Sequence, residues 1–253
     1  MVKVDFESLD SLSTALEGQQ ALVSALATPA VLTQKLLIDA AVKAGVKRII
    51  PSEFGCNLHN AKTRALPVYA DKVAIEEYLN ELAVKGLLSY TLIFNGPFLD
   101  WGLRNGMCFN FKERKAEIYD GGDHLFSTSR LSTAGKAVRR TLTHLRETAD
   151  RAVWVKDIDV SQKQLLKLAQ SLTPGEEWEV TEVETAELEK QALEDIEKKQ
   201  IGPTTMLNLI RRAIFNPAYG NNFGEKVHNQ VLGIRGMTEP DLEELIRSIF
   251  GSK

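Results

Sequence analysis

Short apolar runs alternate with amphipathic helical stretches through the first 98 residues, and this rhythm restricts the possible folds more than any other feature of the chain. Val2 to Phe6 alternates apolar and polar positions and predicts a strand. Ser8 stands as an N-cap before Leu9, Leu12 and Leu16 at helical spacing, with Gly18 as the stop. Ala21 to Ala25 predicts a second strand. Thr28 and Pro29, cap followed by proline, open a helix that carries Leu32, Leu36, Leu37, Ala40 and Ala44 to Gly45. Arg48 to Ile50 and Tyr90 to Phe94 predict the next strands, separated by a helix over Lys72 to Leu82 whose apolar side holds Ile75, Tyr78, Leu79 and Leu82. Short, mostly apolar strands spaced by helices of this length are what a parallel sheet covered on both faces requires. The predicted fold class is therefore α/β, a doubly wound parallel sheet. Such sheets bind ligands beyond the carboxyl ends of their strands, which nominates Leu26 to Thr28, Pro51 to Gly55 and Asn95 to Phe98.

After Phe98 the rhythm loosens. Ala116 to Phe126 carries a Gly121-Gly122 hairpin signal, Leu131 to Leu145 and Ser161 to Leu172 predict helices, and Arg151 to Val155 and Glu179 to Val183 predict strands. Thr238 before Pro240 caps a last helix reaching Phe250. The acidic stretch Glu176 to Glu197 and the basic stretch Arg130 to Arg151 read as solvated helix faces. A net charge of -3 gives no attraction to nucleic acid or anionic membranes. No apolar run approaches the ~20 residues of a membrane helix, and no basic-then-apolar leader opens the chain. Cys56 and Cys108 lack Cys-x-x-Cys spacing, so a reducing, cytoplasmic location is expected. His59, His124, His144 and His228 are scattered, so no metal site is expected. No Gly-x-Ser-x-Gly elbow supports a serine hydrolase.

The run Ala44-Gly45-Val46-Lys47-Arg48-Ile49-Ile50-Pro51-Ser52-Glu53-Phe54-Gly55 closely resembles the hallmark of the isoflavone reductase-like and NmrA-like family of atypical short-chain dehydrogenases. Val4 to Leu26 is similar to that family's third strand, helix and fourth strand, and Ser89 to Phe98 to a later strand and loop beside the cofactor. Asn229 to Ile234 with a short terminal helix resembles the family's ending. The resemblance implies a Rossmann-like domain over residues 1–98 and a substrate lobe mainly over 99–253, with some later segments returning to the first sheet. It implies NADPH as cofactor, a small-molecule substrate and, with assembly left open, a homodimer.

Family members open with a strand, a Gly-x-x-Gly-x-x-Gly loop and a helix, whose backbone N-H groups meet the pyrophosphate. No such glycine pattern follows a strand here. The chain is therefore expected to lack the family's first β-α-β unit, as a truncated chain, a natural isoform or a protein that does not bind dinucleotide, and to leave a sheet edge unpaired.

Lys72 matches the lysine that the family uses as general acid and base beside the nicotinamide. A lysine amine in water keeps its proton to about pH 10.4, so such a role needs burial or neighbouring charge. Without the resemblance, Lys72 reads as a surface lysine on an amphipathic helix. Ser52, Glu53, Phe54 and Gly55 resemble the loop beside the nicotinamide ribose; otherwise they form a strand-to-helix turn, with Glu53 on the surface. Ser24 and Leu26 are expected to approach the cofactor by backbone, and Asn95, Gly96 and Phe98 to line its nicotinamide side. Tyr69 stands one residue short of a Tyr-x-x-x-Lys pair and is given a packing role. Trp101, Phe109 and Phe111 form either a substrate wall or, more in keeping with aromatics in a second lobe, core. Two functions stay open: an NADPH-dependent reductase of a small aromatic or phenolic metabolite, and an NmrA-like dinucleotide sensor without chemistry, with an inactive remnant as a third case.

Overall fold

The structure is a computed structural model describing residues 1–250. In chain order, α1 (Leu9–Leu16), β1 (Ala21–Val23), α2 (Gln34–Lys43), β2 (Arg48–Ile50), α3 (Ala61–Arg64), α4 (Ala70–Val84) and β3 (Ser89–Phe94) make the first part. Then follow α5 (Leu99–Arg104), β4 (Phe109–Asn110), β5 (Lys115–Tyr119), β6 (Phe126–Thr128), α6 (Leu131–Thr141) and β7 (Arg151–Trp154). The last part holds β8 (Ile158–Val160), α7 (Gln162–Ser171), β9 (Glu179–Val183), α8 (Thr185–Glu197), α9 (Pro203–Phe215) and α10 (Glu239–Phe250).

The main sheet runs β1-β2-β3-β7, all parallel, with Val23 opposite Ile50, Ile49 opposite Tyr90 and Phe94 opposite Trp154. Alternate residues serve opposite faces. Ile49, Leu92 and Phe94 join Ile38 of α2 and Ile75 and Leu79 of α4 in one core, whereas Ile50, Ile93 and Val153 pack with Ala137 of α6, Leu232 and Ile234 in another. Helices thus cover both faces, and the fold is α/β and Rossmann-like, as expected. The carboxyl ends of β1, β2 and β3 lie side by side, which brings the loops after residues 23, 50 and 94 to one rim.

Three local expectations are corrected. Val2 to Phe6 forms no strand, because local hydrogen bonds claim its backbone instead: Asp5 N donates to Ser11 Oγ at 3.0 Å, Glu7 N to Asp5 Oδ1 at 2.9 Å and Ser8 N to Asp5 O at 3.2 Å. Val4 packs against Leu12, Leu37 and Ala40, and β1 has no strand on its outer side among the described residues. Thr28 does not cap its helix: Ala27 holds that position, a 3-10 turn spans Thr28–Thr33, and the α-helix starts at Gln34. Gly121-Gly122 makes no hairpin. Asp120, Gly121 and Gly122 all have positive φ and turn the chain away, so that β5 pairs with β4 and β9 while β6 pairs with β8. The Ser8 cap is present as expected, with Ser11 N donating to it, and Ser161 adds a capping box that opens α7.

The part of the chain after Phe98 packs around stacked aromatics. Tyr119 lies 4.8 Å from Phe215, and Phe109 and Phe111 pack edge-on against Trp178. Phe109 and Phe111 are therefore core residues, while Trp101 is exposed. Among the described residues no helix is long and apolar enough to cross a membrane.

Candidate active site

Lys72 is the third residue of α4, and its side chain, 14% exposed, folds back onto the loop after β2. Its ammonium donates to the Glu53 main-chain carbonyl and stands 3.9 Å from Glu53 Oε1. The reading of Glu53 as a surface residue is corrected: it is 3% exposed, and Oε1 has no hydrogen-bond partner. Burial pushes the Glu53 carboxyl up to about 7, against the opposing pull of Lys72. The folded state holds a proton that the unfolded chain releases near 4.5, so this contribution to stability is full below that pH and lost as pH rises through about 7. Glu53→Gln is expected to flatten that slope and to be about 3 kcal/mol less penalised at pH 8.5 than the wild type. Urea midpoints of both proteins at pH 4 and 8.5 check this; parallel pH trends would refute it.

The loop after β2 is stitched to both neighbours. Asn95 N and Gly96 N donate to Gly55 O at 3.2 and 2.9 Å, and Ser52 Oγ donates to Leu26 O at 2.7 Å. Phe54 has a φ of 25°, a conformation uncommon outside glycine. Ser24 N extends the sheet by donating to Ile50 O, while its buried Oγ has no partner. Asn95 is buried too; Nδ2 donates to Gly96 O, and Oδ1 has no partner. Phe98 caps α5 and bridges to Ser129. The structure thus joins Leu26, Ser52, Glu53, Gly55, Lys72, Asn95 and Gly96 through direct contacts, with Ser24 tied in through β2.

Gly96 is the backbone constraint. Its φ is +64°, and a Cβ there would lie 2.0 Å from the Ser127 carbonyl oxygen. Gly96→Ala is expected to cost about 2–4 kcal/mol, read as a lowered urea midpoint; a change under 1 kcal/mol would contradict the close approach.

Sequence reasoning missed Gln34. It is buried at the start of α2, and its Oε1 accepts from Ser52 N at 2.7 Å, holding the loop from beneath. No pattern in the sequence signals this, because the contact crosses from helix to loop. Tyr69 and Cys56 lie buried beside the loop; burial pushes the thiol up to about 11 and the phenol well above its usual value. Next to them, Glu76 accepts from Arg64 at 2.6 Å and pairs with His59 at 3.1 Å. Burial raises the Glu76 carboxyl, but these two partners win and hold it below the usual range.

A dinucleotide is the ligand that the resemblance implies. Its nicotinamide end fits the residues present: Ser24 Oγ and Asn95 Oδ1 are buried polar atoms without partners at the ends of β1 and β3, which flank β2, and Lys72 stands at the loop after β2 between them. Ser24 and Leu26 also line a hollow of about 230 Å³ at the end of β1. Among the described residues no Gly-x-x-Gly-x-x-Gly or Gly-x-Gly-x-x-Gly turn for a pyrophosphate follows a strand. A second cavity of about 970 Å³, lined by Arg104, Phe109, Phe111, Arg114 and Phe250 among others, shares none of these residues.

Comparison with known proteins bears on the family and the fold. Residues 1–122 match the model of the NmrA-like family. The protein named oxidoreductase aprR of Aspergillus flavus is 33% identical over 240 residues, covering 93% of this chain and 78% of that one. Among solved structures, AtPrR2 with NADP+ and (+)pinoresinol superposes with a TM-score of 0.73 at 23% identity, covering 97% of this chain and 80% of that chain. The complex of leucoanthocyanidin reductase with NADPH from Vitis vinifera gives 0.76 at 18% identity, covering 98% and 84%. With a relative one-third identical along nearly its whole length and the family pattern across its first sheet, the chain belongs to the NmrA-like family.

Proposed function

We propose that the chain is an NADPH-dependent reductase of a small aromatic or phenolic metabolite, with Lys72 handling the proton. One observation carries this reading: a largely buried ammonium is held by the Glu53 carbonyl on the loop at the end of β2, hydrogen-bonded through Gly55 to the loop after β3. The relative from Aspergillus flavus, named an oxidoreductase, and structural neighbours solved with NADP+ or NADPH support it.

Ser24, Leu26, the 52–55 loop, Asn95, Gly96 and Phe98 would hold the nicotinamide end, with Phe54 as an apolar wall. When bound, NADPH supplies a hydride. Lys72 donates a proton to the substrate oxygen as negative charge develops there, and recovers one from solvent through its exposed fraction. The Glu53 carbonyl fixes the ammonium during this transfer, and the stitched loops exclude water from beneath it.

The test is transfer of deuterium from 4-deuterated NADPH to a panel of phenolic and carbonyl compounds. Deuterium on a product carbon is the expected result. Dinucleotide binding without transfer to any compound would overturn the reading in favour of a sensor.

A further inference from the structure

Glu53 touches Lys72 twice, and only one contact is explained by holding the lysine in place. The main-chain oxygen accepts from Nζ, which suffices to anchor it. The carboxyl lies on the same side, 3.9 Å away, with Oε1 wholly enclosed and unpartnered. An enclosed carboxyl without a donor is costly, and an amide or apolar residue would serve packing better. What a carboxyl adds is a charge that can come and go beside the ammonium.

We infer that Glu53 is a positioning residue that controls how firmly Lys72 holds its proton, its buried carboxyl being neutral when Lys72 gives the proton up and charged when Lys72 retains it. The inference rests on the reading of Lys72 as the proton handler. With Glu53 neutral, no negative charge restrains the ammonium and it is the stronger acid; with Glu53 ionised, the carboxylate holds the proton on Lys72. The burial that brings the carboxyl to about 7 places this exchange near neutrality. From α4, Lys72 and Glu76 face Glu53; from the loop before α3 and from α3, His59 and Arg64; and Cys56 and Tyr69 complete the shell. Glu76 is already paired with His59 and Arg64, which leaves Lys72 as the cation nearest to Glu53.

The experiment reads Lys72 itself and uses neither dinucleotide nor substrate, so its failure is distinct from a failure to reduce anything. The rate of Lys72 acetylation by acetic anhydride is followed by mass spectrometry against pH, in the wild type and in Glu53→Gln. The two rates should agree at pH 5.5, where Glu53 is neutral, and diverge above 7, with Lys72 of Glu53→Gln reacting about tenfold faster at pH 8.5, because it lacks the carboxylate that otherwise stands 3.9 Å from the ammonium. Parallel profiles across that range, or a constant ratio between them, would overturn the inference, since a merely structural change has no reason to follow pH. Should Glu53→Gln fail to fold, carbon-13 NMR of the wild-type Glu53 carboxyl decides: a titration near neutrality that moves in Lys72→Met supports the inference, and a titration near 4.5 with the ordinary glutamates refutes it.

Discussion

Lys72→Ala is expected to lower reductive turnover by about 10²- to 10⁴-fold, the range of a general acid's contribution, while the protein stays folded. The structural cost is small because Lys72 makes a single internal hydrogen bond, to a carbonyl, and sits in the first turn of α4, where alanine is the better helix former. KM for NADPH should change little, since the chain's other candidate contacts to the nicotinamide end come from the three loops. Lys72→Arg sharpens the test. It keeps a positive charge but cannot release its proton near neutrality, so turnover should remain low; recovery of turnover in Lys72→Arg would mean that charge alone is needed and that Lys72 transfers no proton. The readout is kcat and KM for any phenolic or carbonyl compound that the wild type reduces.

Arg48→Ala is expected to be among the most destabilising single substitutions away from the candidate site, costing about 3–5 kcal/mol. Arg48 opens β2 in the middle of the sheet and is 5% exposed. Its guanidinium donates to Thr91 Oγ1 at 2.9 Å, Thr148 Oγ1 at 3.1 Å and Leu145 O at 2.7 Å, tying β2 and β3 to the loop that leads into β7. Burial lowers the pKa of the guanidinium, with the charge of Asp150 acting against it. Removing the side chain leaves a void and orphans the Leu145 carbonyl. Arg48→Met fills most of the void and removes the buried charge, so it should cost less than half as much. Urea unfolding of both variants checks this; a loss below 1 kcal/mol for Arg48→Ala would show that the network is dispensable.

Arg48 also illustrates what a sequence shows and hides. The strands β1, β2, β3 and β7 were legible because each is a short apolar run, and a glycine stop stands before all but the last. That a charged residue inside such a run is buried is a property of the loop packed over it, some hundred residues later in the chain. The same holds for Glu53 and Gln34, whose burial depends on which helix lies above the loop. Val2 to Phe6 shows the opposite failure: its alternation was real, but alternation without a strand to pair with is outweighed by turns around Asp5 and Ser8. The α9 helix carries Pro203 after Gly202 and an apolar face through Leu209, Ala213 and Ile214, signals that a reading focused on the first sheet passed over. At the candidate site, the resemblance supplied the residue positions, and the contacts between Lys72, Glu53, Gly55 and Asn95 supply the physical reason they lie together.

The most direct test of the account is calorimetric titration of NADPH into the wild-type protein and into Lys72→Ala. One equivalent is expected to bind to each, at roughly tens to hundreds of micromolar because no glycine-rich turn holds the pyrophosphate, and with affinities within about threefold of each other, since Lys72→Ala leaves the remaining contacts to the nicotinamide end intact. Absence of binding by the wild type up to millimolar NADPH would contradict it, because the loops at the ends of β1, β2 and β3 would then not form a dinucleotide site.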